Sequence, residues 1–381
     1  MNLDEYRISI DEIDTELLAL FEKRMDVVSK IADYKQANNL PTLDRKRETE
    51  KLEKIVEKAR DDLGPYAHTL FETLFELSRS HQSDLRRSTS QLGNDVKNAL
   101  SNTENLFPPS ATVACQGVEG AYSQLACSRL FNRPSIQYFK TFDSVFAAIE
   151  NGFCRYGVLP LENSVAGSVN KIYALMQSRD FKIVRSVRMK IDHCLLAQKD
   201  VKLEDIKEIF SHEQAIAQCS AFLERLGSGV KITICENTAA AAEMVAGSDR
   251  RDIAAISSQN CVELYGLNCL ARDIQDRANN YTRFICISKA LEIYPGADRT
   301  SIMMAVSHRP GSLYKVLARF YALGINLSKL ESRPIPDRDF EFMFYFDMET
   351  SVYSEEFAKL LDSIQDICSE FKYLGSYSEI I

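Results

Sequence analysis

The sequence lacks the marks of several protein classes. Its ten cysteines form no Cys-x-x-Cys pair and its five histidines are dispersed, so no metal site is expected. Neither a Gly-x-Gly-x-x-Gly nor a glycine-rich phosphate loop with a lysine occurs, which sets nucleotides aside, and no cofactor is expected. Positive charge is in deficit: 46 Lys and Arg against 54 Asp and Glu leave a formal net charge of -8, which argues against a nucleic-acid partner. No apolar run is long enough to span a membrane, and Met1 to Ile10 is charged rather than leader-like. A cytoplasmic protein without membrane contact is therefore expected. All ten cysteines lie beyond residue 110, several in apolar runs such as those of Cys194 and Cys286, as reduced, partly buried thiols do.

What is present is ample. A chain of 381 residues with 45% hydrophobic and 26% charged content has material for two to four domains. Residues 3 to 35 contain no glycine or proline, and two sets repeat every seven residues: Leu3, Ile10, Leu17, Arg24, Ile31 and Tyr6, Ile13, Leu20, Val27, Tyr34. That is a heptad seam on one long helix, which needs partner helices, most simply from a second copy. Arg24 occupies a seam position suited to Leu or Ile. A buried guanidinium needs an anion, so Arg24 either sets register, forms a salt bridge within the bundle, or meets an anionic ligand. Lys35 lies on nearly the same face, about 16 Å along the axis. Arg7 is about 25 Å from Arg24 on another face, so at such a site it would have to serve a partner chain's copy.

Asn38 to Pro41 ends this helix, and Asp44 caps a second whose first turn holds Arg45, Lys46, Arg47 and Glu48. Gly64-Pro65 stops and restarts the chain into a third helix, where Ser78 and Gln82 share a face. Residues 1 to about 90 resemble the all-helical chorismate mutase domain, with Arg7, Arg24, Lys35, Asp44, Arg47, Glu48, Ser78 and Gln82 on that family's ligand-contacting positions. The resemblance implies an intertwined dimer with shared sites. Its reaction is a unimolecular rearrangement of a dicarboxylate, which needs clamped carboxylates and donors fixed where charge builds on the ether oxygen. By resemblance Arg7 from the partner, Arg24 and Arg47 clamp, while Lys35 and Gln82 face the ether oxygen.

Residues 86 to 110 are polar, end in Pro108-Pro109, and read as a linker. From Ala111 short apolar runs alternate with helix-like stretches across turns rich in Ser, Thr, Asn and Gly, which is an α/β pattern. The turns are Gly117 to Ser123, Glu162 to Ser168, Ser211 to Gln214, Asn237 to Ala239 and Ser257-Ser258. Such turns can cap helices or bind anions; for His212 a capping role is expected. At Asn279-Asn280-Tyr281-Thr282-Arg283-Phe284 a hydroxyl and a guanidinium stand side by side at the mouth of a strand. Such a pair could donate to a leaving oxygen and hold a carboxylate.

In order, Gly120-Ala121-Tyr122-Ser123, Pro160-Leu161-Glu162-Asn163-Ser164, Ser211-His212-x-Gln214-Ala215 and Thr282-Arg283-Phe284 resemble prephenate dehydratase over residues 111 to 289. The resemblance implies a two-lobed α/β fold like that of periplasmic solute-binding proteins, with the site in the cleft. The reaction expels hydroxide and carbon dioxide to leave an aromatic ring. It further implies that Thr282 assists departure of the hydroxyl, that Arg283, Asn163 and Ser164 position carboxylates, and that Ser123 contacts substrate. A threonine hydroxyl is a poor acid, so an oriented hydrogen-bond donor is the expected role.

Residues 299 to 381 read as βαββαβ, with a second helix running from Ser354 to about Phe371, an α+β ferredoxin-like order. They resemble an ACT domain, a regulatory module that binds amino acids where copies pair. Glu331-Ser332-Arg333-Pro334 matches the dehydratase family's phenylalanine-site motif, and the loop Arg309-Pro310-Gly311-Ser312-Leu313 matches its other motif in part, at Gly311, Ser312 and Leu313 among the site residues it implies. The whole chain therefore reads as a bifunctional enzyme acting on chorismate and then prephenate, with phenylalanine as effector and a homodimer or higher homo-oligomer as the assembly. Two rivals remain: a dehydratase whose helices only clamp a dimer, and a non-enzymatic amino-acid sensor on a solute-binding fold.

Overall fold

The computed structural model describes residues 2–38, 40, 44–85, 91–227, 229–335, 338, 341–354, 357, 360–361, 364 and 368–381. Helix α1 spans Leu3–Ala37 and begins with a reciprocal cap: Glu5 N donates to Asn2 Oδ1 at 2.9 Å, and Asn2 N to the Glu5 carboxylate at 2.9 Å. Helix α2 spans Arg45–Lys58, capped by Asp44, whose Oδ1 accepts from Arg47 N at 3.1 Å. Helix α3 is Gly64–Leu85 and packs on both. Only Val28 and Ala32 of α1 are buried. Leu3, Tyr6, Ile10, Ile13, Leu17, Leu20, Val27, Ile31 and Tyr34 remain between 41% and 65% exposed. A single chain therefore leaves most of the heptad seam in water, against the hydrophobic drive that such a pattern carries. No helix among the described residues is long and apolar enough to cross a membrane.

The stretch expected as a linker contains a helix, α4, at Gln91–Asn102. Its Val96 and Ala99 are buried against the core of the C-terminal sheet. The apolar positions isolated in that polar stretch fall on one helical face, which the linker reading overlooked.

Among the described residues the following strands form three sheets. The first lobe holds β1 (Thr112–Gln116), β2 (Ser135–Phe139), β3 (Tyr156–Asn163), β4 (Gly167–Ser168) and β5 (Lys182–Lys190). The second holds β6 (Cys194–Ala197), β7 (Glu208–Ser211), β8 (Lys231–Ile234), β9 (Ile253–Ser257) and β10 (Asn268–Ala271) in the order β10-β6-β9-β7-β8. The chain then returns to the first lobe as β11 (Tyr281–Ser288), which lies antiparallel between β3 and β5. Two crossings thus join the lobes, at residues 191–193 and 272–280. The central parallel strand β9 is buried at every position and follows an apolar run, as a covered strand does, while the parallel edge strands β2 and β8 are largely exposed.

The C-terminal sheet contains β12 (Arg299–Ala305), β13 (Asn326–Pro334), β14 (Phe342–Glu349) and β15 (Glu370–Tyr377) in the antiparallel order β13-β14-β12-β15, with a helix at Ser312–Ala322. The helix expected after Ser354 falls partly outside the described residues. One face of this sheet continues the first lobe's core: Met303, Met343 and Tyr345 pack with Ile285, Ile183 and Tyr173. Contact is close enough that a Cβ on Gly375 would lie 2.2 Å from Ile183 O, and the backbone there has φ +139, so only glycine fits. Strand β16 (Glu379–Ile380) then adds to β5 in parallel. All ten cysteines are free.

Candidate functional site

Two clusters bring expected residues together. In the helical domain Arg24 sits in α1 opposite α3. Its Nη1 donates to Leu74 O at 3.1 Å and to Ser78 Oγ, and its guanidinium lies 5.8 Å from the Phe75 ring centre. Burial lowers its pKa and the charge of Glu48 opposes that, as a cation held by neutral acceptors requires. Ser78 and Gln82 are buried one turn apart, and Gln82 Oε1 has no hydrogen-bond partner among the described residues. Glu48 pairs with Arg79, whose other guanidinium nitrogen reaches Glu76 at 2.5 Å. Arg79 was not singled out in the sequence, because an arginine next to a small polar residue on a helix gives no signal. Lys35 is half-buried near the end of α1. Arg47 lies with Lys46, Lys51, Lys54 and Lys58 around an open groove of about 650 Å³ beside Asp44. Arg7 stays away from this cluster, exposed and paired with Asp4 at 3.2 Å.

The second cluster lies where the lobes join. Asn163, at the end of β3, is its fixed point. Val165 N and Ala166 N donate to its Oδ1 at 3.0 and 2.8 Å. Backbone N–H groups can only donate, so this oxygen cannot be the amide nitrogen. Asn163 Nδ2 then donates to Asn280 Oδ1 at 2.7 Å and Thr282 Oγ1 at 2.9 Å. Thr282 Oγ1 accepts from Asn163, which leaves its own hydrogen to point elsewhere. Thr282 is 8% exposed and Asn280 1%, so this arrangement sits in low dielectric, where hydrogen bonds are strong and unpaired polar groups costly. Asn280 Nδ2 donates onward to Gln218 Oε1 at 2.9 Å, and Gln218 Nε2 approaches Asn163 Oδ1 at 3.4 Å.

The structure engages several of the expected residues in contacts within the protein. Asn163 has both amide hydrogens engaged within the protein, in contacts to Thr282 and Asn280. Ser164 Oγ donates to Asn279 O at 3.0 Å and accepts from Tyr281 N at 2.9 Å; it pins the loop that carries Asn280. Arg283 does not share the Thr282 face, because successive strand residues point to opposite sides. Its guanidinium is 5% exposed, pairs with Glu162 at 2.8 Å through Nε, and binds Asp347 of β14 through Nη2. Ser123 is buried in the first turn of the helix Tyr122–Leu130. His212 caps the helix Glu213–Gln218, its Nδ1 accepting from Gln214 N at 3.2 Å. Gln218 was missed, although it lies one turn beyond Gln214 on that same helix.

In the C-terminal sheet Gly311, at φ +81, precedes the helix that starts at Ser312. Ser312 Oγ lies 3.1 Å from Ser307 Oγ, and Leu313 packs on the sheet's core. Along β13 the side chains alternate. Glu331 and Arg333 are half-buried, paired at 2.6 Å, while Ser332 and Pro334 are exposed. Ser168 Oγ, on β4, donates to Glu331 at 2.8 Å. Lys329 binds Glu162 and reaches Ser168 at 2.9 Å.

Comparisons with known proteins place the chain in a family. The family description "Chorismate mutase type II" matches residues 6–83, and "Prephenate dehydratase" matches residues 113–292. The bifunctional chorismate mutase/prephenate dehydratase of Aquifex aeolicus is 32% identical over 379 residues, covering 100% of this chain and 98% of the relative. Arogenate dehydratase/prephenate dehydratase 2 of Arabidopsis thaliana is 37% identical over 277 residues, 70% of this chain and 72% of its own length. The structure of prephenate dehydratase from Arthrobacter aurescens in complex with L-Phe superposes with a TM-score of 0.64 at 28% identity, covering 70% of this chain and 89% of that one. With both family matches in series and a relative aligned from end to end, the chain belongs to the bifunctional chorismate mutase/prephenate dehydratase family.

Proposed function

We propose that this chain performs two consecutive steps of phenylalanine biosynthesis, with a mutase domain at residues 1–90, a connecting segment at 91–110, a dehydratase domain at 111–289 and a regulatory domain at 299–381. The observation that carries the dehydratase step is the fixed polarity at Thr282. With Asn163 donating to its oxygen, the Thr282 hydroxyl is left as a donor toward the cleft. As the substrate's carboxylate leaves as carbon dioxide, its bonding pair enters the ring and the ring's C–O bond breaks. Thr282 stabilises the hydroxide that departs. Such a preorganised donor is most effective where charge develops in a dry site. Purified protein supplied with prephenate should release phenylpyruvate. Parallel supply of arogenate separates the two substrates for which a relative is named, and no aromatic product from either would remove the reading.

The mutase step needs cations around a dicarboxylate. Arg24 and Arg47 would clamp it, with Lys35 and Gln82 at the ether oxygen and Asp44, Glu48 and Ser78 shaping the site. The exposed seam of α1 and the position of Arg7 favour a homodimer in which Arg7 enters from a second copy. Gln82 Oε1 has no partner among the described residues of the helical cluster, so the amide is free to turn its Nε2–H toward the ether oxygen of a ligand there.

For the C-terminal block, the antiparallel order β13-β14-β12-β15 supports a ferredoxin-like ACT domain, with Gly311, Ser312, Leu313 and Glu331 to Pro334 as the candidate phenylalanine site. The residues next to Thr282 and Asn163 are Arg283 and Glu162, and these grip Asp347 and Lys329 of that sheet. Phenylalanine that favours one arrangement of the sheet would thereby bear on the catalytic strands, provided that its affinity differs between the arrangements.

A further inference from the structure

The polarity imposed by Val165 and Ala166 does not stop at Thr282. Asn280 must receive at Oδ1 and give at Nδ2, so Gln218 Oε1 is an acceptor. His193 Nε2 lies 2.9 Å from that same oxygen. Two acceptors cannot bond, so Nε2 carries the hydrogen. His193 Nδ1 is buried without a partner among the described residues, and the residue as a whole is 2% exposed. A hydrogen there would be stranded, so the ring is neutral and Nδ1 is bare. Burial also holds its pKa below the ordinary histidine value, with the Gln218 bond and the charge of Asp192 opposing.

His193 stands in the first crossing between the lobes and is tied to the second. Its N–H donates to Gln275 Oε1 at 2.8 Å, its carbonyl accepts from Ile274 N at 3.0 Å, and Gln275 Nε2 reaches Asp192 at 3.2 Å. Tyr122, beside Ser123, accepts from Asp192 N at 3.0 Å. The His193 backbone is therefore held by both crossings at once, while its ring reaches Gln218.

We propose that His193 is a positioning residue for the dehydratase reaction: as an Nε2–H donor it fixes the Gln218 amide, and through Asn280 it holds in place the Asn163 amide, whose polarity the backbone sets, against the Thr282 hydroxyl. Without that donor, Gln218 can turn over and present Nε2 to Asn280 Nδ2, which sets two donors against each other. The network then has to rearrange around Asn163. This inference rests on the dehydratase reading of the cluster.

The test uses the full chain. His193→Leu removes the donor, and His193→Gln places an amide N–H near the position of Nε2. The loss of one positioning hydrogen bond should lower dehydratase kcat of His193→Leu about tenfold with KM little changed. His193→Gln should recover most of it, and the mutase rate of each preparation should stay normal. Thr282→Val assayed alongside separates the two readings: if it too retains dehydratase activity, the dehydratase reading of the cluster fails. If Thr282→Val is impaired and His193→Leu is not, the role of His193 is wrong. Equal impairment of the Leu and Gln variants would also overturn it, because packing rather than donation would then matter. Should His193→Leu not fold, imidazole nitrogen NMR of the wild-type protein decides: a neutral ring protonated at Nε2 supports the proposal, and an Nδ1–H or cationic ring contradicts it.

Discussion

The helical domain and the cleft between the lobes are built on opposite principles. The helical cluster is rich in charge: Arg24, Glu48 and Arg79 meet on α1, α2 and α3, with Arg47 and four lysines nearby. The cleft cluster is made of neutral amides and one hydroxyl, and Arg283, next to Thr282 in sequence, faces away. The helical cluster is open in one chain, with the seam of α1 exposed, while the amide network closes within one chain. A rearrangement that only needs a dicarboxylate held in its reactive shape calls for clamping charges. An elimination that needs one hydrogen aimed at a leaving oxygen calls for fixed polarity. Charge from a second copy can complete the former; the latter depends on short bonds between neighbours in one fold.

The strongest way to break this contrast is Arg24→Leu. The seam accepts leucine and a desolvation cost disappears, so the fold should hold while mutase activity falls by about 10³-fold, the upper range for removing a charge-stabilising donor. Dehydratase turnover of supplied prephenate should be unchanged, and retained mutase activity would refute the ligand role of Arg24. Thr282→Val should do the converse, lowering dehydratase activity by about 10²-fold while leaving the mutase intact; a near-normal rate would move the donor role elsewhere.

Subunit mixing sharpens the comparison. Arg7→Ala and Arg24→Leu, each inactive as a mutase, should regain activity at about a quarter of the sites after full exchange, because a two-fold dimer of one of each holds one intact site. Thr282→Val mixed with Asn163→Leu should regain no dehydratase activity. The absence of mutase recovery, with exchange demonstrated, would count against shared sites. The smallest effect is expected from Glu331→Ala. It removes the partner of Ser168 and Arg333 and should weaken phenylalanine binding and inhibition together, as read by calorimetry beside the dehydratase rate, with the uninhibited rate little altered. Inhibition of the variant at the intact protein's phenylalanine concentration would place the effector elsewhere.

Much of the architecture was legible because its signals are local. The heptads of α1, the Asp44 cap and the apolar runs that became β1, β3 and β9 each declare themselves within a few residues. The seam position of Arg24 also announced a half-buried cation. The roles around Thr282 were harder to see for a geometric reason. Thr282 and Arg283 are adjacent in sequence, yet strand alternation sends them to different neighbours, one to Asn163 and one to Asp347 of another sheet. Asn163 and Ser164 belong to a recognisable turn, but only the fold shows that their polar groups are engaged with the protein's own loop. His193 and Gln218 lie 25 residues apart, and nothing in either local sequence pairs them. The α4 helix was hidden by its polar composition, since its few apolar residues gain meaning only beside the sheet that covers them.

The most direct test of two separate chemistries in one chain is a chorismate progress curve with the wild-type, Arg24→Leu and Thr282→Val proteins, following chorismate, prephenate and phenylpyruvate together. The wild type should convert chorismate to phenylpyruvate, Thr282→Val should stop with prephenate accumulated, and Arg24→Leu should leave chorismate untouched yet still dehydrate added prephenate. If either substitution disables both reactions in a folded protein, or if the wild type consumes chorismate without forming phenylpyruvate, the account is contradicted.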